Sequence, residues 1–363
     1  AIGRQALTAS NGSNNVSIGW QSLLANTTGN DNTAIGMQAL TTATTASNNT
    51  AVGARALMST TGSGSCAVGE DALMTATTGT QNIAMGQSAL RLLTTGNYNI
   101  AIGANTLAAD GTFSSNTAIG QAVLNANTAS NNTGVGFNAL LANTTGTQNV
   151  AIGAYTASSI TTGSYNTVVG YSALGTATTA SNLTAFGFRA LGANTSGAAN
   201  DAFGYNSLRL NTTGNYNVAM GNSALYSNST GQKSVAIGYY ALLNATTGGN
   251  NTAVGYQALD SVTDGHDNTG VGRDVLSAVT TGEKNTALAS AGQAITTGQN
   301  NMCLGYNAGS SAAPSGEITT GNNTICLGDN GISNLYCADT VSYTHLRAHE
   351  TGRNLVCRLL LEK

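Results

Sequence analysis

Chemistry in this chain would have to come from a small set of side chains. Five cysteines and three histidines stand among 363 residues. Cys303 and Cys326 share one phase of a repeated unit, so a disulfide or a shared metal is the chemistry they offer. No Cys-x-x-Cys spacing and no neighbouring His accompanies them. Cys66 occupies a column otherwise filled by Thr or Val and reads as a small buried hydrophobe; Cys337 is isolated. His266 lies in Asp264-Gly265-His266-Asp267, where other units have a turn, and is expected to be solvated. With Asp260 and Asp274 these aspartates make the densest acidic patch, which offers weak cation binding. The calcium-binding nonapeptide pattern G-G-x-G-x-D is absent. There is no paired-carboxylate, Ser-His-Asp or Cys-His pattern, and the glycines form no phosphate loop. The expectation is a non-enzymatic chain with no catalytic, cofactor-binding or metal residues.

The residues that must be positioned belong instead to a repeat. Gly3, Gly19, Gly36, Gly53, Gly69, Gly86 and their successors recur every 16 or 17 residues up to Gly305, with Ala289 replacing one glycine. Only the last step, Gly305 to Gly328, is longer, at 23. Around the anchor the unit reads N-[T/V/I]-A-[I/V/M/F]-G-x-x-[A/S]-L-x-x-x-T-T-G. A short fixed period means that each unit buries its apolar face only against its neighbours. Asn-Thr-Ala-Ile-Gly is too short for a helix and alternates like a strand, Thr33 and Ile35 on one face, Ala34 and Gly36 on the other. Thr27-Thr28-Gly29, Thr94-Thr95-Gly96 and Thr212-Thr213-Gly214 punctuate the units as turns.

These features predict an all-β fold, a parallel β-solenoid or β-roll with a coil of about 17 residues. At about 4.8 Å per coil, nineteen coils would make a rod of roughly 90 Å. The Ala-Leu segment after the anchor is compatible with a second short strand or a one-turn helix. The Ile/Val/Met and Leu columns are expected to stack as buried apolar ladders. The Asn column (Asn15, Asn32, Asn49, Asn82, Asn99, Asn116) is expected either to form an amide ladder between coils or to serve turn chemistry. It is interrupted at Ser65, Leu183 and Ser234. The small Ala34-x-Gly36 face permits close approach of another arm of the same coil or of another copy of the chain.

Charged residues make up 7% of the chain, and there is one proline, Pro314. Such composition is disorder-like, but strict phasing of the aliphatic residues argues for order. No apolar run reaches membrane-spanning length. Three stretches are distinguished: the repeats over 1–305, a looped last coil and lead-in over 306–340, and a divergent tail over 341–363. Val341 to Thr351 resembles a reading frame through a transposase-type sequencing-library adapter, and Leu355 to Lys363 resembles its distal half. That tail is therefore set aside as non-native. Residues 1–340 then hold 8 basic and 13 acidic residues, net −5, and lack the basic stripe of a nucleic-acid binder. The chain begins in mid-motif at Ala1-Ile2-Gly3, so a missing N-terminal portion is expected.

N-x-A-[I/V]-G-x-x-A is similar to the head repeat of trimeric autotransporter adhesins, a left-handed parallel β-roll with shorter units. The longer units with Thr-Thr-Gly turns resemble those of tailed-phage fibre proteins. Asn322 to Asp329, Ile332 and Leu335-Tyr336-Cys337 look like the lead-in to the endosialidase-type intramolecular chaperone that ends many such fibres. The resemblance covers roughly residues 1–328, and none of that chaperone's self-cleavage residues can be placed here. It implies a phage tail-fibre shaft on a virion, homotrimeric, contacting other tail proteins and a host cell-surface receptor such as a glycan. Variable turns such as 196–199 (Ser-Gly-Ala-Ala) and 110–113 (Asp-Gly-Thr-Phe) are where ligand contacts are expected. The alternatives are the head of a bacterial trimeric adhesin on the cell surface and an ice-binding solenoid. No membrane insertion is expected in the first reading.

Overall fold

A computed structural model describes residues 1–8, 10–310 and 316–329. The adapter-like tail, residues 330–340 with Cys337, and residues 311–315 of the last loop lie outside the described residues. Two compact units, Ala1–Gln232 and Lys233–Lys363, repeat one architecture. The first holds thirteen three-residue strands, from β1 (Val16–Ile18) to β13 (Val218–Met220). The second holds six, from β14 (Val235–Ile237) to β19 (Ile325–Leu327). Within each unit every strand pairs in parallel with the next along the chain, one coil on, as in Thr33↔Thr50, Ala34↔Ala51 and Ile35↔Val52. The fold is a β-solenoid. Where a coil lengthens to 23 residues, Met302 still pairs with Ile325 and Cys303 with Cys326.

Neither a second short strand nor a one-turn helix follows the anchor among the described residues. The segment after the anchor is a turn whose backbone alternates through left-handed residues, Gln38 at φ +58° and Leu40 at φ +53°. The alternation aims successive amides in opposite directions. Gln38 N–H donates to the Trp20 carbonyl of the preceding coil (2.8 Å), and Leu40 N–H to the Ala56 carbonyl of the next (3.1 Å). Backbone groups that a helix would satisfy internally are satisfied here between coils.

Which face of the strand looks inward corrects the sequence reading. Ala34 and its equivalents are fully buried, whereas Ile35 is 37% exposed, and the same holds along the ladder. The Leu column is buried as expected, at Leu40, Leu57 and Leu73, but the Ile/Val/Met column is not. The reason is space. The strand's middle residue packs directly onto the Ala-Leu turn of its own or an adjacent coil, where a small side chain fits: Ala in most strands, and Val168 at the largest. At Gly134 an added Cβ would fall 2.5 Å from Val123, which replaces the usual turn Ala; at Gly270 it would fall 2.9 Å from Val275, again in place of Ala. Strand and turn thus trade one small side chain for another. The small-residue face is consumed within the coil and is not free for a second chain.

Asparagines form the polar half of the core. Asn149 is 1% exposed; its Nδ2 donates to Asn132 Oδ1 (3.2 Å) and to the Gly163 carbonyl (2.9 Å). Its Oδ1 in turn accepts from the backbone N–H and Nδ2 of Asn166, at 3.1 and 2.9 Å. Along this column the amides are paired across coil boundaries and also hold turn carbonyls, so both readings of the column are met; outside it, Asn26 Nδ2, Asn143 Oδ1 and Asn228 Oδ1 are buried without a hydrogen-bond partner. The Ser65 and Ser234 hydroxyls accept from the backbone N–H of Asn82 and Asn251. Leu183 supplies no acceptor. The anchor glycines meet a different demand. Gly86 sits at φ +134°, and a Cβ there would lie 2.6 Å from the Gly103 carbonyl. Ala289 is accommodated because its backbone turns to φ +59°.

Candidate functional site

The residues with chemical potential do not converge. His266 Nδ1 contacts Asp267 and its Nε2 contacts Glu283, both at 2.9 Å, a bridge between neighbouring coils. Asp264 accepts from the Thr246 and Thr247 hydroxyls (3.0 and 2.6 Å), and Asp274 pairs with Arg273 (3.8 Å). Asp260 is half-buried, which raises its carboxyl pKa, with the Asp274 charge adding to the effect. Among the described residues no three His, Cys, Asp or Glu side chains stand together as a metal site. Cys303 and Cys326 are register partners, both buried and not joined by a disulfide. Burial, with Cys326 alongside, pushes the Cys303 thiol up to about 11, the wrong direction for a nucleophile. Cys66 is half-buried, and burial raises its thiol too.

The two turns named from sequence differ. Phe113 swings inward and is 2% exposed, so its ring fills the core where most coils have glycine. In the other turn Ser196 is exposed and Gly197 buried.

Two surface features were not found from sequence. The first is the outward aliphatic column, which in the first unit runs from Ile18 through Met85, Ile102, Ile119 and Ile152 to Met220 with no buried member. The residue two positions earlier, also outward, is Thr, Val, Ile or Cys except at Asp201. Thirteen such side chains, at roughly two-fifths exposure, leave on the order of 800 Å² of apolar surface, above the few hundred that monomers normally show.

The second feature is an open cleft of about 480 Å³ in the first unit, lined by Tyr155, Tyr171, Gly175, Arg189, Gly192 and Arg209 among others. An aromatic ladder borders it. Tyr171 stacks on Phe188 (5.7 Å, 10° between planes) and Phe188 on Tyr205 (5.2 Å, 8°), while Tyr155 meets Tyr171 edge-on (5.9 Å, 74°). Tyr155 is edge-on to Phe137 as well (5.2 Å, 75°), so the ring planes turn a corner at Tyr155 beside the cleft. The Arg189 guanidinium lies 5.1 Å from the Phe188 ring centre. Arg209 Nη1 donates to Tyr226 Oη (2.7 Å). Neither arginine has a carboxylate partner among the described residues, unlike Arg55, whose Nε is 2.6 Å from Asp71. The sequence did hold a signal, because five positions after the anchor most coils carry a side chain such as Leu24, Met58, Met74, Leu141 or Leu243, and two successive coils carry Gly175 and Gly192.

No family model matches the chain, and neither a curated protein nor a solved structure matches it. No helix among the described residues is long and apolar enough to cross a membrane.

Proposed function

We propose that this chain is part of the shaft of a tailed-phage tail fibre, assembled as a homotrimer on the virion and serving attachment to the host cell. One observation supports it above the others, the continuous apolar strip on the outer face of the strands. Water-exposed aliphatic surface of that extent needs a cover, and identical strips on identical chains cover one another by symmetry. At roughly 800 Å² per chain, the strip matches what one partner contributes to a stable interface. The role is mechanical and adhesive, with no reaction to catalyse. Its remaining support is the resemblance of the repeat units and of the Asn322–Asp329 segment to fibre proteins.

Sedimentation equilibrium tests the assembly. A species at three times the 36.3 kDa chain mass is expected, reduced to monomer by Ile102→Asp with Ile119→Asp. A monomeric parent chain defeats the trimer reading. Reading the source DNA across codon 340 tests the owner. A chaperone-type domain supports the fibre, whereas a heptad stalk and membrane anchor would make the chain an adhesin head on a bacterial surface. A frame that genuinely continues as Val341 to Lys363 removes the adapter reading. The ice-binding alternative gains nothing from the first threonine of the turns, whose hydroxyl bonds to the next coil's carbonyl, as Thr144 to Thr161 (3.0 Å). A recrystallisation assay decides that alternative.

A further inference from the structure

We propose that the cleft over Gly175 is a binding site for an acidic sugar, one carboxylate-bearing pyranose of a surface polysaccharide. The source of that sugar rests on the attachment reading above; the site itself rests on geometry. Three observations converge.

The first is that the cleft exists because a side chain is missing without steric cause. A Cβ on Gly175 would find its nearest atom, the Ser172 carbonyl oxygen, at 3.4 Å, which is ordinary contact. The anchor glycines have no such room. Where more distant coils place Leu24, Met58, Met74, Leu141 or Leu243, this one leaves space, and Gly192 in the next coil extends it. About 480 Å³ suits one or two sugar rings.

The second is charge. Arg189 and Arg209 both face the cleft in a chain with few basic residues, and no acidic residue lines it. Each guanidinium is held by an aromatic neighbour, Phe188 or Tyr226, and not by a carboxylate. Planar, pre-oriented forks without a counter-charge match a carboxylate two oxygens at a time.

The third is the corner of rings. Tyr155 and Tyr171 meet at 74°, both more than two-fifths exposed, and present aromatic surface beside the arginines. A pyranose offers an apolar C–H face to such a ring, with its hydroxyls directed to the Ser158 and Ser172 side chains on the cleft wall. A bare anion has no use for the rings. An acidic peptide carries its carboxylates on flexible arms and gains little from a rigid corner.

Titration calorimetry on the 363-residue chain tests the proposal with three probes: an oligogalacturonate, a hyaluronan tetrasaccharide and sialyllactose. At least one is expected to bind, and maltotriose to bind about tenfold more weakly or not at all. Arg189→Gln with Arg209→Gln, and separately Gly175→Leu, should each weaken binding about tenfold or more. Gly175→Leu fills the cleft with a residue its column already holds at Leu24, Leu141 and Leu243, so an unchanged circular dichroism spectrum is the folding control. The proposal is overturned if none of the three acidic sugars binds, or if Gly175→Leu binds as the parent does. Equal affinity for a hexaglutamate peptide or for inorganic phosphate overturns it as well, pointing to an acidic-peptide or bare-anion site. The two readings separate in a cell-binding assay. Sugar bound at the cleft without adsorption to any cell bearing it counts against attachment and leaves the cleft intact. Adsorption that survives Gly175→Leu does the reverse.

Discussion

Ala101 and Ile102 are adjacent in one three-residue strand and sit in opposite environments. Ala101 is fully buried beneath the turn, and Ile102 is 37% exposed. A hydrophobicity scale would order them the other way. The difference teaches that volume, not transfer free energy, decides orientation in a coil this narrow. The inner space takes a small side chain, Ala in most strands and at most Val168, and the larger residue is usually the one turned out to become surface. The same rule separates the two kinds of glycine. Gly86 has no room for a side chain, and Gly175 has room that is left empty.

Substitutions can break or sharpen this contrast. The largest effect is expected at the anchors. Gly86→Val sets a branched side chain against the Gly103 carbonyl at a φ of +134° and should cost upwards of about 4 kcal/mol, read as loss of the thermal transition for the surrounding coils. Next comes the amide ladder. Asn149→Ala orphans buried groups on both neighbours and should cost about 3 kcal/mol. Asn149→Ser, which leaves an acceptor as at Ser65, should cost about half as much in the same denaturant titration. Gly134→Ala crowds Val123 and should cost about 1–3 kcal/mol, with much of that restored by adding Val123→Ala; a double-mutant cycle that is merely additive refutes the size-trading account.

Titration gives a further test. The Cys303 thiol ionises near its ordinary value of 9 when unfolded and at about 11 when folded, so unfolding releases a proton between those values. The Cys303 contribution to stability should be level below pH 9 and fall as pH rises toward 11, and Cys303→Ala should remove that share of the slope while leaving the part due to Cys66. The smallest effect is expected outside. Ile102→Thr should change the stability of a single chain by no more than about 0.5 kcal/mol, while weakening assembly.

Much of the fold was legible in the sequence because period and phase are written in it. Gly19, Gly36 and Gly53 set the coil length, and Asn-Thr-Ala-Ile set the strand and its neighbour. Alternation alone, however, identifies two faces without saying which is inner, and apolarity then favoured the wrong one. Phe113 misled in the reverse sense: a Phe in a turn read as displayed, yet its ring completes the core. The cleft was legible only in part. The aromatic run from Phe137 to Tyr205 and the paired gap at Gly175 and Gly192 are visible as letters. That they share an edge with Arg189 and Arg209 depends on left-handed turn residues whose direction no pattern of hydrophobicity encodes.

The in-register pairing has a genetic consequence. Each coil hands its successor the same ladder of Asn, Ala and Leu contacts, and pairing survives coils of 16, 17 and 23 residues, as at Thr50↔Cys66, Thr33↔Thr50 and Met302↔Ile325. Recombination between two coils at matching codons therefore adds or removes whole coils in frame, and each new junction joins surfaces that already fit. The gene can change the reach of its product in steps of one coil, without a folding problem to solve at each step.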